Sequence, residues 1–154
     1  VAKGKLFVID ASALLAAWLP KEPYRAHADA LFQCYEEEQV ELCGPTLLPY
    51  EILNGLYVAV RGKAGQPPRL SPEEALEAWE LFQKLGIRLE ETEHLSERIL
   101  KLALEYQRPS IYDMTYVALA EHLKSPLVTA DRRLLSALEG KLDWVIPLWE
   151  WQKA

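Results

Sequence analysis

The sequence predicts an α/β fold, a central parallel sheet with helices on both faces, built as a single domain over residues 1–154. Short apolar runs alternate with helix-patterned segments along the chain, as in sheets whose strands are joined by crossover helices. The run Lys5-Leu6-Phe7-Val8-Ile9 and the run Pro126-Leu127-Val128-Thr129-Ala130 lack strict polar–apolar alternation, as expected of strands buried on both faces. Each is followed at once by an aspartate, Asp10 in the first case and Asp131 in the second.

Taken in order, Lys5 to Asp10 is the first strand, and Ala11 to Leu19 is a helix stopped by Pro20. A second helix is expected to start at Pro23, a favoured first helical position, and to reach the acidic cluster Glu36-Glu37-Glu38. Val40 to Cys43 reads as a brief strand closed by Gly44-Pro45, and Leu47 to Arg61 as a helix with Pro49 in its first turn. Gly62 to Leu70, with two glycines and Pro67-Pro68, is an exposed loop. Ser71-Pro72-Glu73-Glu74 opens the next helix with a capping box, and Gly86 ends it before a strand near Ile87 to Glu90. Leu95 to Tyr106 has the spacing of an amphipathic helix. Pro109 then breaks the chain, and Ser110 is placed to cap a helix over Ile111 to Leu123. Arg132 to Leu138 is the last helix and Trp144-Val145-Ile146 the last strand.

With 154 residues, 50% of them hydrophobic and 26% charged, the chain has the composition of a folded domain able to bury a core. No apolar run approaches the roughly 18 residues needed to cross a bilayer. The opening Val1-Ala2-Lys3-Gly4-Lys5 leads into a stretch too short for a signal-peptide core, so a cytoplasmic protein without a membrane partner is expected. Cys34 and Cys43 have no zinc-ligand spacing and read as reduced core thiols. One asparagine, one methionine and ten prolines lean towards a thermophilic source. A net charge of −6 argues against tight non-specific binding to duplex nucleic acid. It leaves room for a site in which clustered carboxylates hold cations that supply the positive charge.

In an open α/β sheet, ligands bind beyond the carboxyl ends of the strands, where strand order reverses. Asp10 and Asp131 stand at such ends. Each has a plainer role open to it, as the cap of the helix that follows. Glu51 lies among Leu47, Leu48, Ile52, Leu53 and Leu56, and Asp113 among Ile111, Met114, Val117 and Ala120. A lone acid in an apolar helix also serves as a first-turn residue that favours the helix dipole, and Asp113 is placed for that. The four acids are spread along the chain and can meet only through the fold.

The segments Val8-Ile9-Asp10-Ala11-Ser12-Ala13-Leu14, Pro49-Tyr50-Glu51-Ile52-Leu53-Asn54, Ser110-Ile111-Tyr112-Asp113 with Tyr116, and Leu127-Val128-Thr129-Ala130-Asp131 resemble the PIN domains, in particular toxin ribonucleases of VapC type. Their order and spacing follow the family over nearly the whole chain. The resemblance implies an acidic quartet of Asp10, Glu51, Asp113 and Asp131 that binds Mg²⁺ or Mn²⁺ for hydrolysis of RNA. Asp10, Asp113 and Asp131 would hold the metal most directly, with Glu51 completing the cluster or orienting a water. Ser12 and Thr129 match supporting hydroxyl positions, and the Gly62 to Leu70 insert departs from the shortest members. The family also implies a cognate antitoxin and a homodimer.

Arg132 and Arg133 follow Asp131 directly. They read either as a solvated first helical turn or as a guanidinium set against an RNA phosphate. His27, His94 and His122 have no ligand spacing and belong on helix surfaces; Trp144, Trp149 and Trp151 read as core or interface packing, with base stacking the less favoured role. A ribonuclease outside any toxin–antitoxin pair is a second reading, and a non-catalytic module that binds metal or a partner is a third. A dehalogenase-like phosphatase also starts with a strand ending in Asp, but it needs a second Asp where this chain has Ser12.

Overall fold

Five strands build one parallel sheet in the order β3-β2-β1-β4-β5. The computed structural model describes residues 4–152, so the lead-in Val1 to Lys3 lies outside the described residues. The first half of the chain runs β1 (Lys5–Ile9), α1 (Ala11–Trp18), α2 (Arg25–Glu36), β2 (Val40–Pro45), α3 (Leu48–Arg61), α4 (Pro72–Leu85) and β3 (Arg88–Glu90). It continues with α5 (Ser96–Glu105), α6 (Tyr112–Leu123), β4 (Leu127–Thr129), α7 (Arg132–Leu138) and β5 (Val145–Pro147). Short 3-10 turns at Glu93–Leu95 and Leu148–Glu150 complete it.

β1 occupies the centre because it is the most apolar strand. Val8 and Ile9 are fully buried, and Val8 pairs with Cys43 on one side and Leu127 on the other. The chain steps outward from β1 to β2 and β3, then crosses to β4 and β5 on the opposite side. Strand order therefore reverses between β1 and β4, and the crevice there opens at their carboxyl ends, beside Asp10 and Asp131. Right-handed crossovers place α1 to α4 on one face and α5 to α7 on the other. α6 accordingly packs across β1, β2 and β4, and seven of its twelve residues are buried.

The capping box at Ser71 and Glu74 forms as the sequence predicts, and Gly86 takes the left-handed conformation (φ 61°) that ends α4. Two helix starts differ from expectation. α2 begins at Arg25 and not at Pro23, because the chain makes one more turn (Arg25 N–H to Glu22 O, 3.4 Å) while Tyr24 stacks on Trp149. Ser110 does not cap α6. Ile111 is already in the helical region, its carbonyl accepts the Thr115 N–H, and Ser110 stays exposed.

The 62–70 loop is exposed up to Leu70, closes on itself through Lys63 and Gln66, and is tied down by Arg69, which donates to Pro20 O and Glu22. Cys34 and Cys43 are buried free thiols, and burial pushes the Cys43 thiol up to about 11. The three histidines are exposed. Trp151 is buried edge-on against Phe7, and the Trp144 indole donates to Val117 O. Among the described residues no helix is long and apolar enough to cross a membrane.

Candidate active site

Helices that connect parallel strands run back against them, so their N-termini gather at the carboxyl edge of the sheet. Four of these N-termini carry the four acids singled out in the sequence. Asp10 caps α1, Asp131 caps α7, Glu51 lies in the first turn of α3 and Asp113 in the first turn of α6. The capping role considered for each aspartate is realised, and the same geometry aims the carboxylates at one crevice. The partial positive charge at each helix N-terminus favours a carboxylate there.

Asp10 is the most enclosed of the four. Ser12 donates to its Oδ1 at 2.6 Å, the Ala13 N–H to the same oxygen at 3.2 Å, and Thr129 to Oδ2 at 2.5 Å. The two hydroxyls also stitch the β1 and β4 ends together, since Ser12 Oγ accepts the Ala130 N–H and Thr129 Oγ1 accepts the Asp131 N–H. Burial pushes the Asp10 carboxyl up to about 6, with these hydrogen bonds pulling the other way and Asp131 adding repulsion. Asp131 accepts the Arg133 and Leu134 N–H groups on Oδ1.

Glu51 reaches the same space from α3. Gly55, one turn further on, lies against Leu15 of α1, where a Cβ would stand 2.4 Å from Cδ1 and the leucine side chain would have to shift. Burial raises the Glu51 carboxyl above the usual carboxylate range; the neighbouring Tyr116 hydroxyl opposes the rise, and Asp113 and Asp131 add to it. The Tyr116 hydroxyl is buried beside Glu51 without completing a hydrogen bond, and burial first, then Glu51, raises it well above the usual phenol range. Asp113 is held by Arg108, Nε to Oδ2 at 2.7 Å, while its Oδ1 is buried without a partner.

The four carboxylates thus act on one another across the crevice, Asp10 with Asp131 and Glu51 with both Asp113 and Asp131. Among the described residues no three acid, histidine or cysteine side chains stand close enough together to hold a metal ion as they are placed. The chemistry of the four side chains is nonetheless the kind that a hard divalent cation prefers. Their donors are carboxylate oxygens, they repel one another, and one of them is an orphaned buried oxygen that a cation would satisfy. Arg132 makes no bond to the acids among the described residues; its Nε donates to the Tyr24 hydroxyl at 2.8 Å, at the edge of the Tyr24 and Trp149 rings.

Arg108 was not singled out from the sequence, and Tyr116 was read there only as part of the segment around Asp113. The one available signal for Arg108 is a lone cation in the break before a helix whose first turn holds a candidate acid. Nothing in the spacing marks Tyr116 as the neighbour of Glu51, which comes from a different helix.

Comparison with known proteins identifies the family. Residues 7–140 match the PIN domain family. Ribonuclease VapC3 of Pyrobaculum aerophilum is 33% identical over 132 residues, covering 82% of this chain and 90% of the relative. Ribonuclease VapC9 of Mycobacterium tuberculosis is 34% identical over 129 residues, covering 84% and 88%. The crystal structure of PAE2754 from Pyrobaculum aerophilum superposes with a TM-score of 0.66 at 26% identity, covering 94% of this chain and 85% of that one. With the matched region running from β1 through α7 and holding all four acids, this chain belongs to the PIN domain family.

Proposed function

We propose that this chain is an endoribonuclease that hydrolyses RNA phosphodiester bonds with divalent cations, and that it is the cytoplasmic toxin of a type II toxin–antitoxin pair. The observation that supports this reading is that Asp10, Glu51, Asp113 and Asp131 each stand at the N-terminus of a different helix. The likeness to VapC ribonucleases supports the activity and the toxin role.

Mg²⁺ or Mn²⁺ held by these acids would supply positive charge to the phosphoryl oxygens and lower the pKa of a bound water. Asp10, Asp113 and Asp131 are the holding residues. Both Asp10 oxygens accept hydrogen bonds, but a carboxylate oxygen has further lone pairs to offer. The Asp131 hydrogen bonds fall on Oδ1, which leaves Oδ2 uncommitted among the described residues. Asp113 offers its orphaned Oδ1. Glu51, whose carboxyl burial holds above the usual carboxylate range, would complete the cluster or orient a water. Ser12 and Thr129 fix the rotamer of Asp10, and through Ala130 and Asp131 they fix the loop that presents Asp131.

The antitoxin is expected to be a small protein encoded beside this one. The homodimer draws its support from exposed Tyr50, Leu53 and Tyr57 on one face of α3. The test of the activity is cleavage of mixed-sequence single-stranded RNA in EDTA, Mg²⁺ or Mn²⁺ by the wild type and by Asp113→Asn. Cutting that needs metal and disappears in the variant is the expected result. Folded, partner-free wild type that leaves RNA intact in every condition removes the reading.

A further inference from the structure

A second cluster sits beside the acids and is built from residues far apart in sequence. Tyr24, in the connection between α1 and α2, stacks on Trp149 from the turn after β5, with ring centroids 4.4 Å apart and planes 28° from parallel. Arg132, the first residue of α7 and the neighbour of Asp131, sits at the edge of this stack beside the Tyr24 hydroxyl, its Cζ 5.5 Å from the Tyr24 centroid and 5.7 Å from that of Trp149. Its Nε and Nη2 both donate to the Tyr24 hydroxyl. An exposed arginine ordinarily ranges through solvent. This one is exposed yet held, and of the five N–H donors of a guanidinium only two are spent on Tyr24.

We infer that Arg132, Tyr24 and Trp149 form a nucleotide seat for single-stranded RNA next to the acidic cluster, with Arg132 taking a phosphate and Trp149 stacking on a base. The inference deepens the ribonuclease reading and rests on it. Charge argues for the seat. A protein of net charge −6 that gathers four carboxylates must hold the flanking phosphates with cations placed close by, and Arg132 follows Asp131 directly. Chemistry argues for it as well. A planar guanidinium pairs with a phosphate through two parallel donors, and a fixed one spends less freedom on doing so. Aromatic faces beside such a cation are how single strands are held without regard to sequence. Arg132 and Tyr24 are therefore positioning residues for substrate, outside the bond-breaking step.

The test is binding of a labelled, mixed-sequence single-stranded RNA in EDTA, paired with kcat and KM for its cleavage in Mn²⁺. Trp149→Ala and Arg132→Gln are each expected to weaken binding about tenfold and to raise KM by a similar factor while kcat is retained. Arg132→Gln should also make the salt dependence of binding shallower, by about 0.7 in the log–log slope for one phosphate on a single strand, and Trp149→Ala should not. Trp149→Phe, which keeps a stacking face and fills the site, should restore most of the affinity and guards against loss of fold. Metal-dependent cleavage with the same KM and affinity in all variants overturns the seat and leaves the ribonuclease standing. Falls in kcat alone also overturn it. A wild type that neither binds nor cuts RNA removes the ribonuclease reading and the seat with it.

Discussion

Arg108 and Asp113 form an ion pair, Nε to Oδ2 at 2.7 Å, with only 12% and 19% of their side chains exposed. The pair puts a protein cation where an acidic cluster most needs one, and it leaves Asp113 Oδ1 without a partner. Breaking a fully buried pair costs about 3–5 kcal/mol, and this partly exposed one should cost about 2 kcal/mol. Arg108→Gln is therefore expected to lose about 2 kcal/mol in EDTA and much less in saturating Mn²⁺, where a bound cation replaces the missing charge. Urea unfolding under the two conditions measures both values. Equal losses would show that guanidinium and cation do not share Asp113.

Stability of the metal-free protein should fall as pH rises from about 4 to about 6. The Asp10 carboxyl titrates at about 6 in the folded chain against 3.8 unperturbed, because burial disfavours its charge. Between those values the folded state holds a proton that the unfolded state has released, so each step up in pH favours unfolding. Two units correspond to about 3 kcal/mol, fully present below the unfolded value and lost once pH passes the folded one. Glu51 is raised as well and adds a change of the same sign. Comparing Asp10→Asn with wild type in EDTA by urea unfolding isolates the Asp10 part. Parallel curves for the two proteins across that window would mean that Asp10 is charged throughout it.

The parts of this site that were legible in the sequence are those encoded within one element. Lys5 to Ile9 could be read as a central strand because no polar residue interrupts Leu6 to Ile9, and Asp10 then stood out as a charge at the end of a buried run. The same holds for Leu127 to Thr129 with Asp131, and for the Ser71 to Glu74 capping box. What escaped depends on contacts between elements. Arg108 belongs to a break in the chain, and only the fold of that break carries it onto Asp113. Ser110 had the right chemistry for a cap, but Ile111 was already helical and Asp113 was anchored to Arg108. Pro23 was a favourable helix start overridden by the stacking of Tyr24 on Trp149.

Thr129 is fully buried and works in two directions, donating to Asp10 Oδ2 and accepting the Asp131 N–H at 3.0 Å. Thr129→Val keeps the shape but leaves both partners unpaired, at a cost of about 1–3 kcal/mol. Because the lost bond favoured ionised Asp10, the variant should also titrate Asp10 at higher pH and need more metal for half-maximal cleavage. Thr129→Ser retains the hydroxyl and should lie within about 1 kcal/mol of wild type. Chemical denaturation and a metal titration of RNA cleavage check both statements. A Val variant indistinguishable from the Ser variant in both assays would reduce Thr129 to core filling.

Tyr50, Leu53 and Tyr57 are 72%, 41% and 61% exposed, and their i, i+3, i+7 spacing places them in one stripe along α3. A row of large apolar side chains left in water is more than the scattered exposure of a typical surface, and a two-fold axis would bury it against its own copy. Light scattering is expected to give twice the 17.6 kDa of one chain for the wild type. Leu53→Glu with Tyr57→Glu should give a single chain, because two charges brought face to face across the axis repel as well as remove apolar contact. Folding stability of the monomer should fall by about 1 kcal/mol or less per site, since Leu53 and Tyr57 are both partly covered, Tyr57 by the Arg61 guanidinium. A single-chain mass for the wild type, unaltered by the substitutions, would rule out the homodimer and leave the stripe to a partner of a different kind.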